Sequence, residues 1–378
     1  MDILPFFSLG AGFLFYALIK FFHKVWWIPM RIQFLMGSQG IRGPSYRFIY
    51  GNTKEISTMR EKSMGGPMEL SHHIFPRLQP HLHSWFKLYG MSFLQWHGAT
   101  AELVVTDPEF VKEIMNNREQ YYPKPEADVF TKKITGDGLV ASKGEKWTKL
   151  RKLANHAFHA ESLKARVDTQ EISVEGIIDE CKTFYTAGHG TTTLLLSWAI
   201  LLLAINTDWQ EKARQEVLKV LGCGRPNSEG ISRLKLMGMI ISETLRLYPP
   251  AVSLTRKVQR EVRLQNLILP ANMNLNIPAL ALHHDPKIWG EDAHLFKPER
   301  FSEGVAKATN NRPSAYIPFG LGPRVCVGSS FAIDEVKIVL AMILQRYTFT
   351  LSPNYIHSPI QVIAIRPKHG VQVVLHAF

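Results

Sequence analysis

The chain has 378 residues, enough for one large domain or two modest ones, and its 46% apolar and 20% charged residues exclude wholesale disorder. Three cysteines, an odd number, argue against a disulfide framework and for a reducing compartment. The net charge of +12 leaves nucleic acid, an anionic membrane or an acidic protein partner open, but no DNA- or RNA-binding motif accompanies it, so no nucleic acid is expected.

The run from Ile3 to Ile19 holds seventeen residues without a charge, about 25 Å of helix, extended by Phe21 and Phe22. Only Asp2 precedes it, whereas Lys20, His23, Lys24 and Arg31 follow. The positive-inside bias predicts a retained transmembrane anchor over 1–24 with the body facing the cytosol. Trp26 and Trp27 suit an interface belt. A linker over 25–45, ending in Gly37-Ser-Gln-Gly-Ile-Arg-Gly-Pro44, leads into a body spanning 46–378. Ser92 to Val105 predicts a hairpin, and Asp107-Pro108 opens a helix through Met115. Helices are expected over Gly144–Phe158, from Ser173 to about Ile205, over Asp208–Leu221 and over Leu236–Leu247, the last stopped by Pro249-Pro250. Residues 222–230 read as a loop. Short strands follow around Arg256–Leu269 and Asn274–Pro278, and a strand pair closes the chain between Thr348 and Phe378. The expected fold class is mainly α with a small β-sheet region, without repeats.

The chemistry concentrates in Phe319-Gly-Leu-Gly-Pro-Arg-Val-Cys-Val-Gly328, a glycine-rich turn holding Cys326 ahead of a helix with Phe331, Ile333, Val336, Val339, Leu340 and Ile343 at apolar spacing. Gly320, Gly322 and Gly328 let backbone pass close to a flat bulky object. Arg324 supplies a fixed positive charge for an anionic group. Amide N–H groups at a helix start favour thiolate over thiol. A thiolate so held is what haem iron needs as an axial ligand. A buried structural cysteine is the plain alternative; a closed zinc site is the poorer one, since Cys181 and Cys223 form no CxxC pair.

Three other groupings stand out. Glu243 and Arg246 are three apart on one helix face and can pair. Trp147 and Arg151 are one turn apart, with Lys149 and Lys152 pointing away as a docking surface for an acidic partner. Ala187-Gly-His-Gly-Thr-Thr-Thr193 puts two glycines inside a long helix, each costing roughly 1 kcal/mol relative to alanine, so the helix should bend or open there.

The Cys326 string matches F-x-x-G-x-R-x-C-x-G at every fixed position, and so resembles the haem-ligand signature of the cytochrome P450 family. Ile241-Ser-Glu-Thr-Leu-Arg246 resembles the family's E-x-x-R element and Pro298-Glu-Arg-Phe301 its later P-E-R-F element. Together they imply a buried structural network of Glu243, Arg246 and Arg300. Trp147 and Arg151 resemble the W-x-x-x-R pair that reaches the haem propionates, and Arg256 looks like a third propionate partner. The resemblance thus implies Cys326 as metal ligand, with Trp147, Arg151, Arg256, Phe319, Gly322, Arg324 and Gly328 holding the cofactor. Residues 187–192 resemble the oxygen-activation motif A-G-x-(acid)-T-T, implying Thr191 as the catalytic hydroxyl, but Gly190 stands at the acidic position.

Gly190 follows Arg151 by only 39 positions, where family members insert helices D to H. An internal deletion is expected near 164–168, leaving uncovered apolar surface on the flank where those helices would pack. Tyr122-Pro-Lys-Pro125, Gly138-Leu-Val140 and Ala157-Phe-His159 resemble plant microsomal members that hydroxylate terpenoids and hormone-like acids. The resemblance implies a monooxygenase with haem b (iron protoporphyrin IX), fed from NADPH by NADPH-cytochrome P450 reductase. It also implies a single-pass endoplasmic reticulum location with the catalytic domain in the cytosol. A small lipophilic substrate would lie near Pro250–Thr255, Thr183–Ala187 and Ala127–Gly138. The alternatives are a truncated haem-binding membrane protein with impaired or no catalysis, and a basic interaction protein that takes up no haem.

Overall fold

The computed structural model describes residues 4–117, 121–158 and 173–378; the expected junction at 164–168 and His159 lie outside them. Helix α1 (Leu4–Phe22) continues through a π-helical turn, His23–Trp27, into α2 (Ile28–Ser38). The stretch expected as linker is therefore helical to Ser38. It is also tied to the body: Pro29 and Met36 are buried, and the Gln39 carboxamide exchanges hydrogen bonds with the Ile268 backbone at 2.6 and 3.0 Å. Helices α3 (Thr53–Met64), α4 (Phe75–Leu78) and α5 (Pro80–Tyr89) precede the hairpin of β1 (Ser92–His97) and β2 (Thr100–Val105), which pairs as expected with His97 opposite Thr100.

Helix α6 (Pro108–Asn116) starts where Asp107 accepts the amides of Glu109 and Phe110 at 2.8 and 3.3 Å, satisfying donors that a helix start leaves open. Helices α7 (Val129–Thr135) and α8 (Gly144–Phe158) follow. Then α9 (Val174–Phe184), a π-helical turn at Tyr185–His189 and α10 (Gly190–Ile205) form one continuous helix, N-capped by Ser173. That helix is long and apolar enough to cross a membrane by length and composition. Its second half, however, buries Leu195, Trp198, Ala199 and Leu201–Leu203 in the core, which accounts for its hydropathy.

Next come α11 (Thr207–Leu221), α12 (Ser228–Arg233) and α13 (Lys235–Leu247). Helix α12 lies partly in the stretch read as loop; Asn227 caps it by accepting the Gly230 amide at 2.7 Å. The remaining elements are β3 (Leu254–Lys257), β4 (Val262–Leu264), β5 (Leu267–Leu269), β6 (Asn274–Ile277), α14 (Ala279–His283), α15 (Pro286–Trp289), α16 (Gly304–Ala308), α17 (Ser329–Leu344), β7 (Tyr347–Leu351), β8 (Pro359–Gln361), β9 (Ile365–Pro367) and β10 (Val373–Ala377). The main sheet has the order β1-β2-β6-β3, with a parallel β2–β6 pairing between two antiparallel ones, and β7 pairs with β10. The fold is mainly helical with small sheets.

Two apolar cores hold it together. One joins α10, α11, α13 and α17, where Trp198 stacks on Tyr248 with ring centres 4.1 Å apart. The other lies on the main sheet around Trp96, Leu103, Leu275, Trp289 and Phe301. The sheet also carries a polar cluster: Gln95 lies opposite Glu102 and donates to it at 2.6 Å, and Asn276, opposite Thr255, donates to Glu102 at 3.0 Å. Apolar side chains remain uncovered on α7 and α9: Val129 and Phe130 on the first, Val174, Ile177 and Ile178 on the second. An internal deletion near 164–168 would leave such a surface.

Candidate functional site

The Cys326 loop is closed by its own backbone. The Cys326 amide donates to Phe319 O at 2.8 Å and the Val325 amide to Gly322 O at 3.0 Å. Gly328 then N-caps α17. The glycines have separate reasons. Gly322 sits at φ +72°, and a Cβ there would run into the Met115 carbonyl of α6. It is therefore the approach of α6, as much as any ligand, that demands glycine at this point. Gly328 faces the Phe158 ring at van der Waals distance, and that ring also meets Phe184 and Phe331. Phe158 thereby joins α8, α9 and α17.

Helix α8 presents Trp147 and Arg151 inward and Lys149 and Lys152 to solvent, as their spacing predicts. Arg151 donates to Val325 O at 2.5 Å and to the Asn155 side chain at 3.0 Å. The Arg324 guanidinium lies 4.1 Å over the Trp147 ring and donates to Ser142 O at 3.0 Å. Both α8 side chains thus grip the loop that carries Cys326.

Arg256, on β3, is buried, and burial pulls it down to about 10. Arg324 is pulled to about 10 by burial and by the neighbouring Arg256 and Arg151. Lys124 completes the set, brought down to about 8 by burial, Arg256 and Arg324. Its position comes from an edge pairing: Lys257 and Gln259 donate their amides to Pro123 O and Tyr121 O at 2.8 and 3.0 Å. The string Tyr122-Pro-Lys-Pro125 by itself gives Lys124 no role, because only the fold sets it beside Arg256. Among the described residues none of Lys124, Arg151, Arg256 or Arg324 makes an ion pair. Buried cations without counter-charges are costly, so this cluster fits a cofactor that carries carboxylates.

The amide donors and the arginine expected to favour a Cys326 thiolate act in that direction, but burial opposes them. The Gly328 amide and Arg151 do pull it down, but burial outweighs both and pushes the thiol up, although the residue keeps solvent exposure. A bound metal would reverse that balance, because its charge deprotonates a coordinating thiol.

Behind the loop lies the Glu243–Arg246 pair, fully buried and bidentate at 2.7 Å for both bonds. Arg246 also donates to the carbonyls of His283, Ala293 and Leu295 at 2.9, 2.7 and 3.2 Å. Arg300 stands 3.7 Å from Glu243, but its hydrogen bonds go elsewhere, to Asp292 at 2.6 Å and Trp289 O at 2.6 Å. Asp292, unremarked in the sequence, is held down to about 2 by its bonds to Lys297 and Arg300. The network reaches the cysteine loop in two steps. The Tyr316 hydroxyl donates to Ser242 O at 2.8 Å, and the Ile317 amide donates to the His283 ring at 3.0 Å.

On the long helix, the two-glycine segment opens as the π-helical turn 185–189, the local widening its composition anticipates. Thr191 is exposed and donates to Ala187 O at 2.6 Å, while space around Gly188 and Gly190 is open. The stretch 127–138, which holds helix α7, comes together with residues 183–187: Thr183 and Thr186 donate to Thr135 O and Ile134 O at 2.6 and 3.3 Å. In the third expected substrate segment, Val252 is buried in the helical core and Ser253 accepts from Gln79 at 3.2 Å.

A mainly helical body offers one cysteine on a braced glycine loop, beside cations that make no ion pair among the described residues. The family profile of Cytochrome P450 matches residues 69–171 and 162–372. Cytochrome P450 CYP749A22 of Panax ginseng is 44% identical, the match covering 96% of this chain and 95% of that protein. Cytochrome P450 734A1 of Arabidopsis thaliana is 31% identical, with 94% of each covered, and 11-oxo-beta-amyrin 30-oxidase of Glycyrrhiza uralensis 32%, again with 94% of each. The chain belongs to the cytochrome P450 family, a monooxygenase class of oxidoreductase with a haem-iron cofactor. The two profile segments meet at 162–171, and the ginseng alignment runs 497 positions over a chain of 378, so at least 119 positions of that relative have no counterpart here.

Proposed function

We propose that this chain is a haem b-thiolate monooxygenase of the endoplasmic reticulum membrane, anchored once by its N-terminal helix with its body in the cytosol. It takes electrons from NADPH through NADPH-cytochrome P450 reductase and oxygenates a small lipophilic substrate. The observation that carries the reading is the gathering of Lys124, Arg151, Arg256 and Arg324, none in an ion pair among the described residues, around the loop of Cys326. In this reading Cys326 ligates the iron, and the four cations with Trp147 bind the propionates. Phe319, Gly322 and Gly328 shape the loop, and Glu243, Arg246 and Arg300 hold it from behind. When bound, haem supplies reductive activation of dioxygen, one atom entering the substrate and the other leaving as water. The protein's part is to position substrate along 127–138, 183–187 and 250–255, and to offer the Thr191 hydroxyl as a proton donor. With Gly190 in place of an acid, that hydroxyl has no carboxyl beside it to pass protons on. Exposed Lys149 and Lys152 suit the acidic face of a reductase.

Two observations favour a second reading, a haem-holding protein with impaired catalysis arising from an internal deletion near 164–168: the missing side chain at Gly190 and the uncovered face of α7 and α9. One experiment separates the readings. The full chain, expressed with haem precursor, is reduced and exposed to carbon monoxide, then supplied with reductase, NADPH and candidate terpenoids. A thiolate-haem difference band that Cys326→Ser abolishes, together with product, supports the first reading; the band without product supports the second. Absence of haem uptake would sink both.

A further inference from the structure

Trp198, buried on α10, meets two phenol–imidazole pairs. Its ring stacks on Tyr248 with centres 4.1 Å and planes 11° apart, and the Tyr248 hydroxyl lies 2.8 Å from Nδ1 of His72. The His357 ring meets Trp198 edge-on at 6.4 Å, and the Tyr355 hydroxyl lies 2.8 Å from His357 Nδ1. Three oxidisable rings and two imidazoles thus gather from four separate segments of the chain.

The surroundings set the direction of each proton. His357 Nε2 lies 3.1 Å from Ser71 O, which only accepts, so Nε2 carries the ring hydrogen and Nδ1 accepts the one from Tyr355. Among the described residues, His72 Nδ1 is the one hydrogen-bond partner of the Tyr248 hydroxyl, and a phenol, the stronger acid, donates to a neutral imidazole. Burial pulls His72 down to about 4 and lowers His357 as well, so both imidazoles are neutral and open to a proton. Burial pushes both phenols up, so neither ionises. A phenol in that state is idle as an acid or base, but with an imidazole on its oxygen it can give up an electron and a proton together.

Trp198 follows Thr191 by seven residues, two helical turns or about 10 Å, and so lies on the same face of the long helix. At the other end of the set His72 and Tyr355 are partly exposed. The rings therefore lead from the helix of the proposed oxygen site toward the surface. Packing accounts for the rings but not for a basic nitrogen on each hydroxyl, where a carbonyl or water would serve as well.

We propose that Trp198, Tyr248–His72 and Tyr355–His357 form a relay that drains a stray oxidising equivalent from the cofactor. The inference rests on the reading of this chain as a haem-thiolate monooxygenase. Haem carries one-electron chemistry, and turnover that ends without product, to which Gly190 in place of an acid exposes this chain, is the case the relay serves. One electron passes from Tyr248 through Trp198 to the oxidised haem iron, which is reduced by one. The Tyr248 O–H bond breaks and an N–H bond forms at His72 Nδ1; Tyr355 does the same with His357. A one-electron reductant in solvent, of the ascorbate class, returns the electron, and the imidazolium returns the proton.

The test uses the full haem-loaded chain in detergent, mixed with meta-chloroperbenzoic acid without substrate and quickly frozen. Electron paramagnetic resonance should show a tyrosine radical, identified by the narrowing that ring-deuterated tyrosine produces. The signal should fall in Tyr248→Phe and in Tyr355→Phe and be lost in the double variant, since these changes remove hydroxyls and keep the rings. In the unaltered chain the signal should form more slowly in deuterium oxide, because the proton moves with the electron; this measurement needs no variant. An undiminished signal in a folded double variant, or equal rates in deuterium oxide, overturns the relay. A thiolate-haem band that the peracid consumes with no tyrosine radical overturns it too and leaves the proposed function standing. A chain that takes up no haem removes both.

Discussion

Arg246→Met is the sharpest test of what braces the cysteine loop. The substitution removes both 2.7 Å bonds to a carboxylate that is fully buried, and Met approximates the aliphatic stem. Glu243 keeps only the Lys297 amide at 3.0 Å and the distant Arg300 at 3.7 Å. Three carbonyls, of His283, Ala293 and Leu295, lose their donor. Breaking one side of a buried ion pair costs about 3–5 kcal/mol, and the abandoned carbonyls push the loss toward the upper end. Against a total stability of about 5–15 kcal/mol, this is a third or more.

The measurement is urea unfolding of the full chain in detergent, followed by far-ultraviolet circular dichroism with the slope compared between variants. The pair Glu243→Gln/Arg246→Met removes the stranded charge and should recover about 1–2 kcal/mol of the loss. A single-variant loss below about 1 kcal/mol, or no recovery in the double variant, would refute the claim that a desolvated charge pair holds this region.

Three further outcomes are expected. Gly322→Ala forces a side chain into left-handed backbone and against the Met115 carbonyl, so it should cost about 1–2 kcal/mol or more and weaken haem retention, read by denaturant midpoint and Soret absorbance. Gly190→Glu meets open space in ordinary helical backbone, so it should leave stability unchanged or slightly raised and increase product formed per NADPH consumed; unchanged coupling in a folded, active variant counts against the missing acid as the defect. The third concerns Glu102, which binds His97 at 3.2 Å. His97 is raised above 6.5, so its contribution is full below that value and fades as pH climbs through the folded value; Glu102 is lowered below 4.5, so its contribution is full above that value and fades as pH falls through the folded one. The difference in melting temperature between the native chain and Glu102→Gln should therefore peak between about pH 4.5 and 6.5. A flat difference across pH would show that the pair is not coupled. The comparison between variants is needed because His72, His81 and His283, buried neutral at about 4, 3 and 3, destabilise both proteins as pH falls below 6.5.

What was legible in the sequence is what local signals determine. Asp107-Pro108, Ser173 and Pro249-Pro250 mark helix ends through short-range bonds and steric stops, and those boundaries fall where expected. Helix α3 escaped notice because Thr53–Met64 is mostly polar and buries only Ile56 fully, so tertiary contact decides it. Helix α12 hid in a Gly- and Pro-rich stretch, where a single Asn227 cap outweighs composition. At the site, motif spacing located Cys326, Trp147, Arg151 and the Glu243–Arg246 pair. It missed Lys124 and Asp292, whose partners lie across the fold or depend on the turn between α15 and Arg300. It also overstated the backbone's hold on the thiol, since donors can be counted in a sequence but burial cannot.

The site's electrostatics point to where the free energy of this protein resides. Arg256 and Arg324 are drawn from 12.5 to about 10, and Lys124 from 10.5 to about 8, with no acid among the described residues to relieve them. In the proposed reading, two carboxylates entering the cluster would relieve the cost of holding these cations together. A ligand that binds only the folded form adds to its stability, so cofactor affinity and fold stability are linked. The bracing network from Glu243 through His283 to Ile317 belongs to this half of the molecule, and nothing in it depends on the shortened middle. The helix formed by α9 and α10 is different: its π-helical turn is held by Thr183 and Thr186 against α7, beside the uncovered apolar face. In the proposed reading, holding cofactor would draw on a cation cluster built into the body, whereas using it would draw on a surface the chain leaves open to water.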